Sequence, residues 1–270
     1  MKKTIHQALK YSILITLIFG ISLYAEDKAP TTYNGSKEKL HVYLLIGQSN
    51  MAGRAPIAKD ETSDIARCYL LNSKDLWESA KNPLNRYSTI RKGLGMQKLN
   101  PGYSFSKKML EKDKGISIGL VVNAKGGSSI KQWSKESKFY KEAIRRTKAA
   151  LKKGTLKGVL WHQGESDSKD AQYLSKLKLL IMNLRSDLAI PDLPFVAGQV
   201  NNVPLINDQI AKLPETTNST SFVSSEGLKA MDRWHFDAKS MKLLGQRYAE
   251  EILKIQIRQR TKKETAPNKN

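Results

Sequence analysis

Cysteine is almost absent from this 270-residue chain: Cys68 is the only one. A single thiol excludes an internal disulfide framework, so the fold must rest on its hydrophobic core. It also excludes a thiolate metal cluster. Cys68 sits in the apolar run "IARCYLL" with no histidine nearby, which reads as a packing residue rather than a nucleophile. Histidine is nearly as scarce, with four in all: His6, His41, His162 and His235. Neither the histidines nor the carboxylates cluster at metal-ligand spacing, so no metal and no cofactor is expected. Acid is in short supply too, with 25 Asp and Glu against 46 Lys and Arg, a formal charge of +21. A GxGxxG turn, a P-loop lysine and every recognisable nucleic-acid motif are missing, which argues against a nucleotide or nucleic-acid binder.

What is present starts with the N-terminus. "MKKTIHQALKY" carries three lysines and no acid, "SILITLIFGISLY" is an apolar core, and Ala25 offers a small residue for cleavage. This is the pattern of a signal peptide over residues 1–25, and it places the mature protein in the periplasm or outside the cell. The segment is short for a membrane span, and contact with a membrane is expected only if it stays uncleaved. Its loss would remove three lysines and leave +18. A surface so basic attracts anions, an acidic polysaccharide among them, although the lysines are scattered over the polar faces of helices.

Residues 26–39, "EDKAPTTYNGSKEK", read as a polar linker. Apolar runs then alternate with amphipathic stretches. Strands are expected at "HVYLLIG", at Ile116 to Asn123, at Gly158 to Trp161 and at Phe195 to Val200. They are continuous runs rather than alternations, as in a parallel sheet covered on both faces. Helices are expected in "KFYKEAIRRTKAALKKG", in "DAQYLSKLKLLIMNLRSDL" and in "DAKSMKLLGQRYAEEILKIQI", where Met241, Leu244, Tyr248 and Ile252 form one stripe. The β-α-β order implies a three-layer α/β/α domain over residues 40–256. Residues 55–100 lack clear periodicity and read as an insertion of surface loops. Residues 257–270 read as a basic disordered tail.

In an open parallel sheet the site forms beyond the carboxyl ends of the strands. Three polar or glycine-rich clusters fall there: Ser49 after the first strand, Gly126–Gly127 after the second, and "HQGESD" after the third. A serine at a strand-to-helix turn can expose its hydroxyl and aim its own amide at an oxyanion. Gly126 or Gly127 can add a second backbone donor, and Gln163 a side-chain amide. The base is His235, with Asp232 three residues before it on the same loop. His162, at a strand end, reads as a hydrogen-bonded structural residue, and Asp167 as a helix cap. Trp133 and Trp234 flank the crevice, as core residues or as platforms on which a sugar stacks.

Four blocks, "GQSNMAGR", "NAKGGSSIKQW", "WHQGESD" and "DRWHFDAKSMKLLGQRYA", occur in this order. In these the chain resembles the sialate O-acetylesterase-like and acetylxylan esterase branch of the SGNH/GDSL hydrolases, over roughly His41 to Glu250. The resemblance implies a flavodoxin-like α/β fold and hydrolysis of acetyl esters on carbohydrates. It matches Ser49 to the nucleophile, Gly126–Gly127 and Gln163 to the oxyanion positions, His235 to the base and Asp232 to its acid. Glu165 matches a glutamate near the histidine, so Asp232 and Glu165 both stand as candidates for the acid. The alternative to an enzyme is a weakly active module that binds acidic polysaccharide through the basic surface.

Overall fold

The computed structural model describes residues 32–265. The signal-peptide assignment and the first part of the linker lie outside them. Seven strands form one sheet: β1 (Leu40–Gly47), β2 (Cys68–Leu71), β3 (Trp77–Ser79), β4 (Ser117–Val122), β5 (Thr155–His162), β6 (Phe195–Gly198) and β7 (Thr220–Val223). Their order is β3-β2-β4-β1-β5-β6-β7, and every pairing is parallel except β2 with β3. β1 lies at the centre and is buried along its length apart from His41.

The pleat sends alternate residues of β1 to opposite faces. Val42, Leu44 and Ile46 join one core with α3 (Lys138–Ala150), α4 (Tyr173–Asp187), α5 (Pro204–Ala211) and the one-turn α6 (Leu213–Thr216). Tyr43 and Leu45 join the other with α2 (Gly102–Lys112) and α7 (Ala238–Glu264). That is the three-layer α/β/α architecture expected from the continuous apolar runs. A one-residue slip of β1 would exchange its two faces between the cores.

Three expectations are corrected. Residues 55–100 are not loops alone, because β2 and β3 lie within them and extend the sheet edge. The residues that follow 256 are not a disordered tail as far as Thr265: α7 runs to Glu264, and Gln259 Nε2 donates to Asp192 O at 2.6 Å and to Ser219 Oγ at 2.9 Å, pinning the basic end to the body. The linker's last part is not free either: Tyr33 is buried and packs edge-on against Tyr69. The strand β7 had no distinct signal in the sequence. Among the described residues no helix is long and apolar enough to cross a membrane.

α2 and α7 cross closely at Gly245, where a Cβ would lie 2.2 Å from Pro101 O and 2.9 Å from Phe105 N. Backbone cannot swing aside as a side chain can. Gly245→Ala is therefore expected to destabilise by about 1–3 kcal/mol through overpacking, lowering Tm by roughly 2–4 °C per kcal/mol for a domain of this size. Thermal unfolding followed by circular dichroism measures it. An unchanged Tm would mean that the helices separate at no cost.

Candidate active site

The carboxyl ends of β1, β4 and β5 are stitched together before any catalytic group is placed. Gln48 N donates to His162 O at 2.8 Å, and Lys125 N donates to Gly47 O at 3.0 Å. Gly47 has φ +135°, and a Cβ there would lie 2.2 Å from His162 O. Only glycine fits this turn, which explains one flank of the "GQSN" stretch. The chain then enters a one-turn helix, α1 (Ser49–Ala52). Ser49 opens it, and the first N–H groups of a helix have no acceptor within it.

Ser49 Oγ lies 2.9 Å from His235 Nε2. His235 Nδ1 lies 2.7 Å from Asp232 Oδ2. The other oxygen, Asp232 Oδ1, accepts the main-chain N–H groups of Trp234 and His235, each at 2.8 Å. Partial burial works against the charge of Asp232. The bonds from the imidazole and the two amides outweigh it and hold the carboxyl below the usual aspartate range. The loop ends where Asp237 caps α7, its carboxylate accepting from Ser240 N at 2.7 Å. The sequence spacing of Asp232 and His235 thus becomes a continuous relay to the hydroxyl of Ser49.

A cavity of about 420 Å³ opens over this relay. Gly126 and Gly127 line it beside Ser49, and so does Trp234, with the Arg233 guanidinium 4.5 Å from its ring centroid. Two other expected site residues are elsewhere. Gln163 is fully buried, and its Nε2 is committed to Gln48 Oε1 at 3.0 Å, Ser128 O at 3.0 Å and Asp167 Oδ2 at 2.5 Å. It ties the end of β5 to the glycine loop and offers no hydrogen to an oxyanion. Trp133 is 1% exposed, packs edge-on against Trp161 and Phe139, and donates to Ser128 Oγ. It is a core residue, rolled inward by the short helical turn Ile130–Trp133.

Glu165 lines the cavity but does not bond to His235. Its Oε1 accepts from Asn50 Nδ2 at 2.9 Å. Burial is the main cause that raises its pKa, to about 7, with Asp167 adding to the rise. Asp167 does not cap its own turn; its carboxylate serves Ile130 N and Gln163. His162 is buried against Phe236 and Tyr248, and burial lowers its pKa to about 3, so it stays neutral and structural. Cys68 is buried and its thiol is pushed up to about 12, which removes it as a nucleophile at neutral pH.

Two cations stand on the cavity wall in addition to the residues expected from the sequence. Arg54 is pinned through Nη1 to Gly53 O at 2.6 Å and Met96 O at 2.9 Å. Its Nη2 fills the space beside Gly126 that a Cβ would take. Lys92 approaches Gly127. Among the described residues neither has a carboxylate within 4 Å. Arg54 lies inside the "GQSNMAGR" stretch, which marks it in the sequence; Lys92, in the aperiodic segment, carries no such mark. Among the described residues no group of three His, Cys, Asp or Glu side chains stands together to hold a metal ion.

The likenesses to known proteins agree with this geometry. The family model for carbohydrate esterases, sialic acid-specific acetylesterase, matches residues 39–254. A probable carbohydrate esterase of Arabidopsis thaliana is 32% identical over 237 residues, 78% of this chain and 90% of the relative. A crystal structure of an Arabidopsis thaliana protein, 28% identical, superposes with a TM-score of 0.72 over 80% of this chain and 98% of that one. Two more distant solved structures share the fold. They are NanS, at 17% identity and TM-score 0.66 over 83% of this chain and all of that one, and a carbohydrate acetylesterase from Xanthomonas citri, at 19% and 0.59 over 80% of this chain and 56% of that one. The chain is a carbohydrate esterase and belongs to the sialic acid-specific acetylesterase family.

Proposed function

We propose that this esterase is exported and removes acetyl groups from carbohydrates through a serine nucleophile and an acetyl-enzyme. The relay from Asp232 through His235 to Ser49 carries the reading. His235 Nε2 takes the hydroxyl proton as Ser49 Oγ attacks the acetyl carbonyl carbon. The carbonyl oxygen becomes an oxyanion, faced by the amide of Ser49 and the Gly126–Gly127 loop. Collapse breaks the ester bond, and His235 returns the proton to the departing sugar oxygen. Water, deprotonated by the same imidazole, then attacks the acetyl-enzyme and releases acetate. Asp232 holds the imidazole in the tautomer with hydrogen on Nδ1 and stabilises it when charged. Export rests on the charge pattern of residues 1–25.

Two features narrow the substrate. Gln48, Arg54, Lys92 and Glu165 share the cavity wall with Met96 and Trp234, a mixture of polar groups and apolar faces that suits an acetylated sugar. The unpaired Arg54 and Lys92 favour an acetylated glycan that carries a carboxylate, and on this reading the acidic polysaccharide is the substrate rather than a ligand held without turnover. Acetate release is the test. An acetylated uronic-acid glycan is expected to give a kcat/KM about tenfold or more above acetylated xylan at low salt, falling as salt is added. Lys92→Gln should remove much of that preference while leaving p-nitrophenyl acetate turnover unchanged. Equal rates on the two glycans would overturn the anionic assignment; no acetate from any glycan would overturn the function.

A further inference from the structure

Asn50 follows the nucleophile and is fully buried. Its side chain makes three bonds. Nδ2 donates to Glu165 Oε1 at 2.9 Å and to Trp234 O at 3.0 Å, while Oδ1 accepts from Phe236 N at 3.2 Å. Trp234 and Phe236 are the two neighbours of His235. One carboxamide therefore grips the main chain on both sides of the base and joins it to the residue beside the nucleophile. The third arm reaches Glu165, at the end of β5. The other Glu165 oxygen, Oε2, is buried with no hydrogen-bond partner among the described residues. The loop is also tied by Met231 N donating to His235 O, Asp237 N donating to Lys229 O, Asn201 Nδ2 donating to Arg233 O and the packing of buried Phe236 against His162, but none of these joins it to the strand end that carries Ser49.

We propose that Asn50 and Glu165 form a latch that keeps the His235 loop in register with Ser49, Glu165 being a positioning residue whose ionised carboxylate tightens the grip. The latch rests on the reading of Ser49 and His235 as nucleophile and base. An N–H donated to a carboxylate is shorter and roughly twice as strong as one donated to a neutral acceptor. An ionised Glu165 therefore fixes Asn50, and through it the two peptide groups that carry His235. A neutral Glu165 still accepts, but weakly.

The groups facing Glu165 set when it ionises. Burial and Asp167 on its own turn disfavour the charge, which puts the transition at about 7. Tyr173 of α4 and Tyr248 of α7 face it from behind and keep their protons, since burial pushes both hydroxyls well above the usual tyrosine range. From the cavity side come Arg54, Lys92 and His235, with Asp232 behind the imidazole. The folded-state pKa is raised, so the carboxylate is neutral below about 7 and charged above it. Tightening is thus present on the alkaline side and is lost as pH falls through that value.

Glu165→Gln keeps the shape and an acceptor oxygen but removes the charge. With p-nitrophenyl acetate, the ratio of wild-type to Glu165→Gln kcat is expected to stay near one at pH 6 and to rise about five- to tenfold by pH 8.5, with KM unchanged. Asn50→Ala should lower kcat at every pH, and adding Glu165→Gln to it should cost little more, because the two act through one bond. Hydrogen exchange at the Phe236 amide, read on the resting protein, should quicken in Asn50→Ala at every pH and in Glu165→Gln only above pH 7. Exchange needs no turnover, so a chain that hydrolyses no ester would sink the proposed function while exchange still decides the latch. A pH-independent ratio, an effect confined to KM, or additive losses in the double variant would overturn the latch. So would unaltered Phe236 exchange.

Discussion

Replacing Ser49 by alanine is expected to reduce acetate release by several orders of magnitude, on the order of 10⁶ in kcat where the nucleophile of a serine hydrolase acts as one unit with its base. The hydroxyl is the group His235 Nε2 reaches, at 2.9 Å, and no second serine bonds to that nitrogen among the described residues. Alanine removes one oxygen from a side chain whose neighbours are already fixed by α1 and by the bonds of Gln48 and Asn50. The fold should survive, with circular dichroism and Tm close to those of the parent. A fluorophosphonate probe should label the parent at one site per chain and leave the variant unlabelled. Residual activity within about tenfold of the parent would move the nucleophile elsewhere, because loss of a true nucleophile leaves only binding and oxyanion stabilisation.

How much of this could be read without coordinates depends on which physical signal is local. The strands β1, β4, β5 and β6 are buried on both faces, and a continuous apolar run records that directly. Asp232 and His235 share one loop, so their spacing carries their contact. Gln163 fails for the opposite reason. Its position at a strand end is legible, but the direction of its side chain is set by Gln48, Ser128 and Asp167, each brought in by a different turn. Trp133 fails likewise, since its inward roll depends on the Trp161 ring it meets. β3, with three residues, is too short to display a period, and β2 is placed in the sheet by its pairing with β4, far along the chain. The basic end of α7 has the composition of a free tail, and the contacts that order it come from Asp192 and Ser219, far away in sequence. Asn50 is the sharpest case. Its identity within "GQSN" is plain, but its bonds reach over a hundred residues along the chain to Glu165, Trp234 and Phe236.

Asp232 and Glu165 stood as rival acids, and the geometry makes their variants unequal. Asp232→Asn is expected to lower kcat by about 10³–10⁴. The reason lies in what the carboxylate's two oxygens do. Oδ1 accepts two main-chain N–H groups, so in the asparagine variant the amide oxygen must stay there and the loop keeps its shape. The amide nitrogen is then turned to His235 Nδ1, where Oδ2 had been. Its hydrogens meet a nitrogen that must now be an acceptor, which moves the imidazole proton to Nε2. That nitrogen then donates to Ser49 instead of accepting its proton, and the relay runs in the wrong sense. Asp232 is half exposed, and water can replace part of its charge stabilisation, which puts the loss at the lower end of that range. The folded-state pKa of Asp232 is depressed, so its charge is complete above the ordinary aspartate value and is lost only as pH falls through the lowered one. Between pH 6 and 8.5 the parent's Asp232 therefore stays charged, and its own protonation does not shape the comparison with the variant. Glu165→Gln, which leaves the Asp232–His235 bond untouched, should cost about tenfold at most above pH 7. Steady-state kcat for the two variants between pH 6 and 8.5 separates the roles. A larger loss in Glu165→Gln than in Asp232→Asn at any of these pH values would make Glu165 the acid and Asp232 a support of the loop.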